Sequence, residues 1–243
     1  SLTVSDGTNT PVTSTLQVAV SNCSLSPAYL SQANWYFGSY CSIDFNSGLP
    51  VPNNAGFFPL SINTGEGSIS VSNSSGNIMY YSEGVKIWDA SHSAVITGMS
   101  GNASLSQLIS VPNPSNTNQA FVLVPPEGSQ GLANIHAYQI ATTPSISLVN
   151  QFTLTVPSGI AISEQITAIP HCNGTDYWII SHGANNVFCV YRLSSLGFTN
   201  ANLSSNTPNT YTFTGGGGGG SGRRGGVTNA YGGASGAGGG YSR

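Results

Sequence analysis

The sequence predicts an all-β protein: a β-propeller-like array of three- to four-stranded blades, partial or open, followed by a glycine-rich C-terminal segment. Three observations lead there. Apolar and polar residues alternate in short runs, the period of a half-buried strand, and helical periodicity is nearly absent. The runs are separated by Gly, Asn, Pro and Ser, which make turns through permissive or preset backbone angles and side-chain-to-backbone hydrogen bonds. Similar runs also recur at a spacing of 40 residues, from Ser70 in one Ile-Ser-Val to Ser110 in the next, close to the period of propeller blades. An immunoglobulin-like sandwich would supply such strands without the echo.

Residues 1–30 read as an N-terminal strand and linker, with "TSTLQVAVS" (13–21) as the strand. Blades occupy 31–200. In "GSISVSNSSGNIMYYSEGVKIWDAS" (67–91), the strands ISVS, NIMYYS and VKIWDA are joined by turns at SNSSG and EG. "LISVPNPSNTNQAFVLVPP" (108–126) repeats the first two with a longer turn, and "HAYQIA" (136–141) supplies the third. "SLVNQFTLTV" (147–156) is an extra strand-like run, and "ITAIPHCNGTDYWIISHGANNVFCVYRL" (166–193) repeats all three strands, with CNGT and HGANN as turns. Residues 201–214 form a linker, and about half of residues 215–243 are glycine. That last segment has two readings: a flexible tail, or extended strands packed closely because glycine lacks a Cβ.

Hydrophobic residues make up 39% of the chain, enough for a core, while charged residues make up only 5%. A globular protein ordinarily carries about 25% charged residues. The surface is therefore built from Ser, Thr, Asn, Gln and Gly, a composition suited to extracellular structural and adhesive proteins, since charge repulsion keeps crowded cytosolic proteins apart. Residues 1–214 hold every carboxylate but only Lys86 and Arg192 as cations; Arg223, Arg224 and Arg243 lie in the last segment. No basic face with interleaved aromatics is present, so nucleic acid is not an expected partner. No run approaches the roughly 20 apolar residues of a membrane-spanning helix.

"HCNGTDYWIISHGANNVFCVYRL" (171–193) concentrates His171, Cys172, Asp176, His182 and Cys189. Its spacings match no paired zinc-ligand pattern. A reactive cysteine needs an electropositive setting, and Arg192 is the only cation nearby. Strand ends and turns account for these residues. Asp44, Asp89 and Asp176 read as turn caps through side-chain-to-backbone bonds; calcium would need six or more oxygen ligands, and no D-x-D-x-D run exists. Trp88 reads as core packing between blades, with an exposed sugar-stacking role as the alternative. Glu66 and Glu83 are the nearest approach to a carboxylate pair for glycoside hydrolysis, but they flank one blade and nothing places them together. No catalytic, metal or cofactor site is expected.

"NWYFG" (34–38), "DFNSG" (44–48), "GEGSISVSNSSGNIMYYSEGVKIWD" (65–89), "ITAIPHCNGTDYW" (166–178) and "ISHG" (180–183) together resemble the propeller-like repeat regions of large secreted surface proteins of gliding and related Bacteroidetes. Such proteins carry PKD-type domains and a C-terminal sorting domain for type IX secretion. The resemblance covers residues 31–200. It implies structural roles for Trp35, Phe37, Asp44, Trp88, Asp89, Asp176 and Trp178, and no catalytic role. Two departures stand out. The family continues with further blades after the Ser-His-Gly repeat. Cys41 stands where the family more often has a small residue, which implies a local disulfide with Cys23. The segment from 211 resembles the opening of glycine-rich domains of bacterial and phage surface proteins.

The expected function is a non-enzymatic, extracellular or cell-surface structural and adhesive module. Its partners would be other protein chains, through self-association or the rest of a longer parent chain, and glycans met by loops at blade ends. The alternative is a subunit of an extracellular filament or phage-type fibre, assembled through open strand edges that offer unpaired backbone groups. A third reading is a hydrolase or lyase on a propeller scaffold, since a fold does not exclude chemistry.

Overall fold

A computed structural model describes residues 2–4, 12–14, 27–52, 62–65, 67–101, 107–126, 134–156, 160–183, 187–200, 203–204 and 226–229. The chain is all-β apart from one helical turn. Strands β1 (Leu2–Val4) and β2 (Val12–Ser14) pair with each other, and α1 (Pro27–Leu30) leads into four small antiparallel sheets. The first sheet is β3 (Asn34–Phe37), β4 (Cys41–Asp44) and β5 (Val51–Pro52). The second is β6 (Gly67–Ser72), β7 (Ile78–Ser82), β8 (Lys86–Asp89) and β9 (Ala94–Thr97). The third is β10 (Ile109–Pro112), β11 (Gln119–Val124), β12 (Ile135–Ala141) and β13 (Ser147–Leu154). The fourth is β14 (Ile162–Pro170), β15 (Tyr177–Gly183), β16 (Val187–Ser194) and β17 (Gly197–Asn200), with β18 (Leu203–Ser204) also pairing β16. Each sheet is a meander in sequence order, the connectivity short turns allow between antiparallel neighbours. Strand β19 (Gly226–Asn229) runs parallel to β6, with Gly226 opposite Gly67 and Asn229 opposite Ser70.

The period-2 alternation of the strands sets how the sheets stack. Successive side chains point to opposite faces. On β11, Phe121 and Leu123 join a core with residues of β14, β15 and β16, whereas Ala120, Val122 and Val124 join a different core with Ile69, Tyr80 and Ile87 of the second sheet. The same split divides β12, where Ile135 and Ala137 face one way and Tyr138 and Ile140 the other. The third sheet is thus apolar on both faces and sits between its sequence neighbours. A third, aromatic core joins Tyr36 and Ile62 to Tyr81 and Trp88 of the second sheet. Burial of these side chains removes apolar surface from water at roughly 25 cal/mol per Å², the main favourable contribution to such stacking.

Several sequence expectations take a different form. The second sheet has a fourth strand, β9, that the repeat reading does not contain; only Ile96 of its four residues is buried, so it shows no readable alternation. The extra run at 147–156 is the corresponding fourth strand of the third sheet, β13. The expected turn "HGANN" begins later than anticipated, because His182 and Gly183 still belong to β15. The expected strand at 13–21 is described only as far as Ser14, within β2. In the glycine-rich segment, residues 226–229 are extended and paired. Cys41 is an exposed free thiol whose Sγ lies 3.4 Å from the Ser39 carbonyl, and Cys23, its expected partner, lies outside the described residues. Among the described residues, no helix is long and apolar enough to cross a membrane.

Candidate binding cleft

The residues singled out in the sequence do not converge. Trp88 is enclosed, only 2% exposed, and stacks on Tyr81 at a centroid distance of 5.3 Å; Tyr81 in turn stacks on Tyr36 at 4.7 Å. Its burial removes the sugar-stacking alternative. Trp35 donates its indole N–H to the Gln32 carbonyl at 3.0 Å and tilts against Phe45. Phe37 is half-buried at the end of β3. Asp44 Oδ1 accepts the Asn46 N–H at 2.7 Å, and Asp89 Oδ1 accepts those of Ser91 at 2.9 Å and Ser93 at 3.1 Å. Those two carboxylates cap turns.

Asp176 is used differently from the turn cap expected of it. Asn173 Oδ1 caps that turn, accepting the N–H groups of Thr175 and Asp176. The Asp176 carboxylate instead accepts Nε and Nη2 of Arg192 at 2.9 and 2.6 Å. Hydrogen bonding to that guanidinium holds its carboxyl below the usual range. Trp178 is half-buried, with the His171 ring 5.2 Å away. Arg192, the one cation near the cysteines, is thus committed to an ion pair. Cys189 is fully enclosed in the core between the third and fourth sheets, and burial raises its thiol, against thiolate chemistry. Among the described residues no group of three or more His, Cys, Asp and Glu is placed to hold a metal. Glu66 lies outside the described residues, and Glu83 is buried.

A concave feature lies elsewhere among the described residues, at one end of the stack between the second and third sheets. It is a cleft of about 500 Å³. Its floor is Val71, Met79, Tyr80 and Ala120. The Tyr80 hydroxyl lies 2.6 Å from Ser110 Oγ, a hydrogen bond that ties β7 to β10. Burial pushes the Tyr80 phenol up to about 12, so it stays neutral. One wall is the β6–β7 turn with Asn73 and Ser74; the other is the β10–β11 connection with Asn113 and Thr117, together with Gln119 and Thr142.

Both walls are held by local hydrogen bonds. Asn73 Oδ1 accepts the N–H groups of Ser75 and Asn77 at 2.9 and 3.0 Å. Gly76 closes this turn at φ 82°, and a Cβ there would fall on the Asn46 side chain, so a larger residue would displace the wall. Across the cleft, Gln119 Oε1 accepts from Asn113 Nδ2 at 2.9 Å and from Gln139 Nε2 at 2.7 Å. These bonds fix both amide oxygens and leave the NH2 groups of Asn73 and Gln119 without a protein partner among the described residues. Among the described residues no charged side chain lines the cleft.

No family model, curated protein or solved structure matches this chain. The site is therefore read from its geometry. Sequence reasoning placed ligand contacts on loops at blade ends; the cleft is lined in part by the β6–β7 and β10–β11 connections. It missed Asn73, Gln119 and Thr142 individually. Asn73 and Asn113 could have been found as Asx-turn residues at matching positions of two repeats. Gln119 gives no sequence signal, because its role depends on Gln139, a cross-strand neighbour two strands' length away.

Proposed function

We propose that this chain is a non-enzymatic structural and adhesive module of an extracellular or cell-surface protein, its sheets forming part of an open propeller-like array. The observation that carries the reading is the uncharged, amide- and hydroxyl-lined cleft at the turn end of two stacked sheets. Such a site holds ligands by fixed hydrogen bonds and apolar contact, and among the described residues its lining carries no carboxylate, imidazole, amine or thiol. The propeller reading is supported by the repeated four-stranded meander and by first strands that approach each other, β10 lying against both β6 and β14. The low charge and the resemblance to Bacteroidetes surface proteins support the location. Antibodies against the folded chain should label intact, unpermeabilised cells of the source organism. Label that appears only after permeabilisation would refute the extracellular assignment.

A second reading, assembly through open strand edges, is favoured by β13. This eight-residue strand ends the third sheet, is exposed along nearly its whole length and presents Leu148, Val149 and Phe152. "SLVNQFTL" has no charge and no proline, two of the devices that normally keep an edge from pairing, although the register with β12 skips Val149 as at a β-bulge. Two copies of β13 could pair antiparallel through the backbone groups of this edge. Light scattering at high micromolar concentration should show self-association, and Val149→Lys should return the chain to monomer. A wild-type chain that stays monomeric there would remove this reading.

A further inference from the structure

We infer that the cleft between the second and third sheets is a binding site for neutral saccharides. The inference rests on the adhesive reading and gives that reading its ligand class. Four features of the cleft select the class. First, a volume of about 500 Å³ falls within the range of small-molecule sites. Second, among the described residues no Asp, Glu, Lys, Arg or His lines it, so a charged ligand would lose its hydration without gaining a countercharge from them.

Third, the donors are fixed in advance. The NH2 groups of Asn73 and Gln119 stand on opposite walls, each held by an amide oxygen that already accepts two hydrogen bonds. The hydroxyls of Ser74, Thr117 and Thr142 add groups that both donate and accept, and none of the three has a protein partner among the described residues. Preordered donors lose little rotamer freedom on binding. Fourth, the apolar floor of Val71, Met79 and Ala120 lies beneath this polar rim. A pyranose has the matching pattern, a C–H face with hydroxyls around its edge.

A peptide fits less well. Peptides captured by sheets pair with free backbone groups. The wall backbones here are already committed: Asn73 N–H bonds the Asn77 carbonyl, Asn113 N–H that of Gln119, and Gln119 N–H that of Asn116. Recognition is left to side-chain amides and hydroxyls.

The test is a calorimetric titration of the whole chain with methyl hexosides and short neutral oligosaccharides. A uronic-acid oligosaccharide and a Gly/Ser peptide serve as comparisons. Gln119→Glu keeps an oxygen that can accept from Asn113 and Gln139, but replaces the NH2 donor with a carboxylate oxygen and adds a negative charge to the cleft. It should weaken neutral-saccharide binding about tenfold or more, the usual cost of an unmade hydrogen bond at a desolvated site, with an unchanged Tm. Asn150→Asp on β13, away from the cleft, should leave binding intact. Unaltered saccharide binding by Gln119→Glu would overturn the cleft assignment while leaving the adhesive reading in place. Binding of the peptide or the uronate alone would overturn the ligand class. A chain that retains no polysaccharide and no protein ligand at all would instead count against the adhesive reading itself.

Discussion

Trp88→Ala is expected to lower the unfolding free energy by about 3–5 kcal/mol, the range for removing a large aromatic from a packed core. The indole is 2% exposed and forms the third layer of a stack with Tyr81 and Tyr36, with interplanar angles of 14° and 12°. Among the described residues, this stack belongs to the buried cluster that joins the first and second sheets, through Tyr36 on Tyr81. Its loss should therefore loosen the first sheet in particular. Hydrogen exchange should show faster amide exchange in β3 and β4 than in β11 or β15 of the variant. Trp88→Phe, which keeps a ring in the stack, should lose less. A variant within 1 kcal/mol of wild type, about a fivefold change in the unfolding constant, would mean that the stack does not hold these sheets together.

Glu83→Gln is expected to stabilise the protein above neutral pH and to do little under acid conditions. Glu83 sits in the β7–β8 turn, 4% exposed, and its Oε2 has no hydrogen-bond partner. Desolvation raises the carboxyl from 4.5 to about 7, with the nearby Lys86 opposing only in part. The folded state therefore holds a proton that the unfolded chain has released between about pH 4.5 and 7. Over that window stability falls as pH rises, by roughly 1.4 kcal/mol per unit and about 3 kcal/mol in all. The protonated form's contribution is complete below pH 4.5 and is lost once the pH passes about 7. Gln cannot ionise, so its advantage over Glu should grow from roughly 1 kcal/mol at pH 5 to about 3 kcal/mol at pH 8. Asp89 and Asp176 act with the opposite sign: hydrogen bonds depress both carboxyls, so their contribution is lost as pH falls below the ordinary carboxylate range. Together these groups put the wild-type maximum on the mildly acidic side of neutral. Parallel denaturant titrations of the two proteins between pH 5 and 8 check this, and a constant difference would show that Glu83 is solvated or paired.

Much of the fold could be read from the sequence because alternation and turn chemistry are local. Ile69 and Val71, Ile109 and Val111, and Ile179 are buried strand residues flanked by polar turns, and the strands that carry them are present. Strand β9 was missed because one buried residue in four makes no pattern. The turn after β15 was misplaced because the histidine and glycine that look like turn residues continue the strand pairing. Asp176 shows the limit for side chains. Its sequence neighbours suggested a turn cap, but its partner Arg192 lies sixteen residues away on the adjoining strand. The cleft was not legible in the sequence. Its donors are set by contacts between strands, such as Gln139 with Gln119, which no local window contains.

The central claim is that the chain holds neutral polysaccharide without cutting it. The most direct measurement passes neutral and acidic polysaccharides over the immobilised 243-residue chain, then sizes what is released. Retention of neutral polymers, little affected by salt because no charge pair takes part, and release at their original length are the expected results. Polymers released shortened, or retention confined to acidic polymers and abolished by salt, would contradict it.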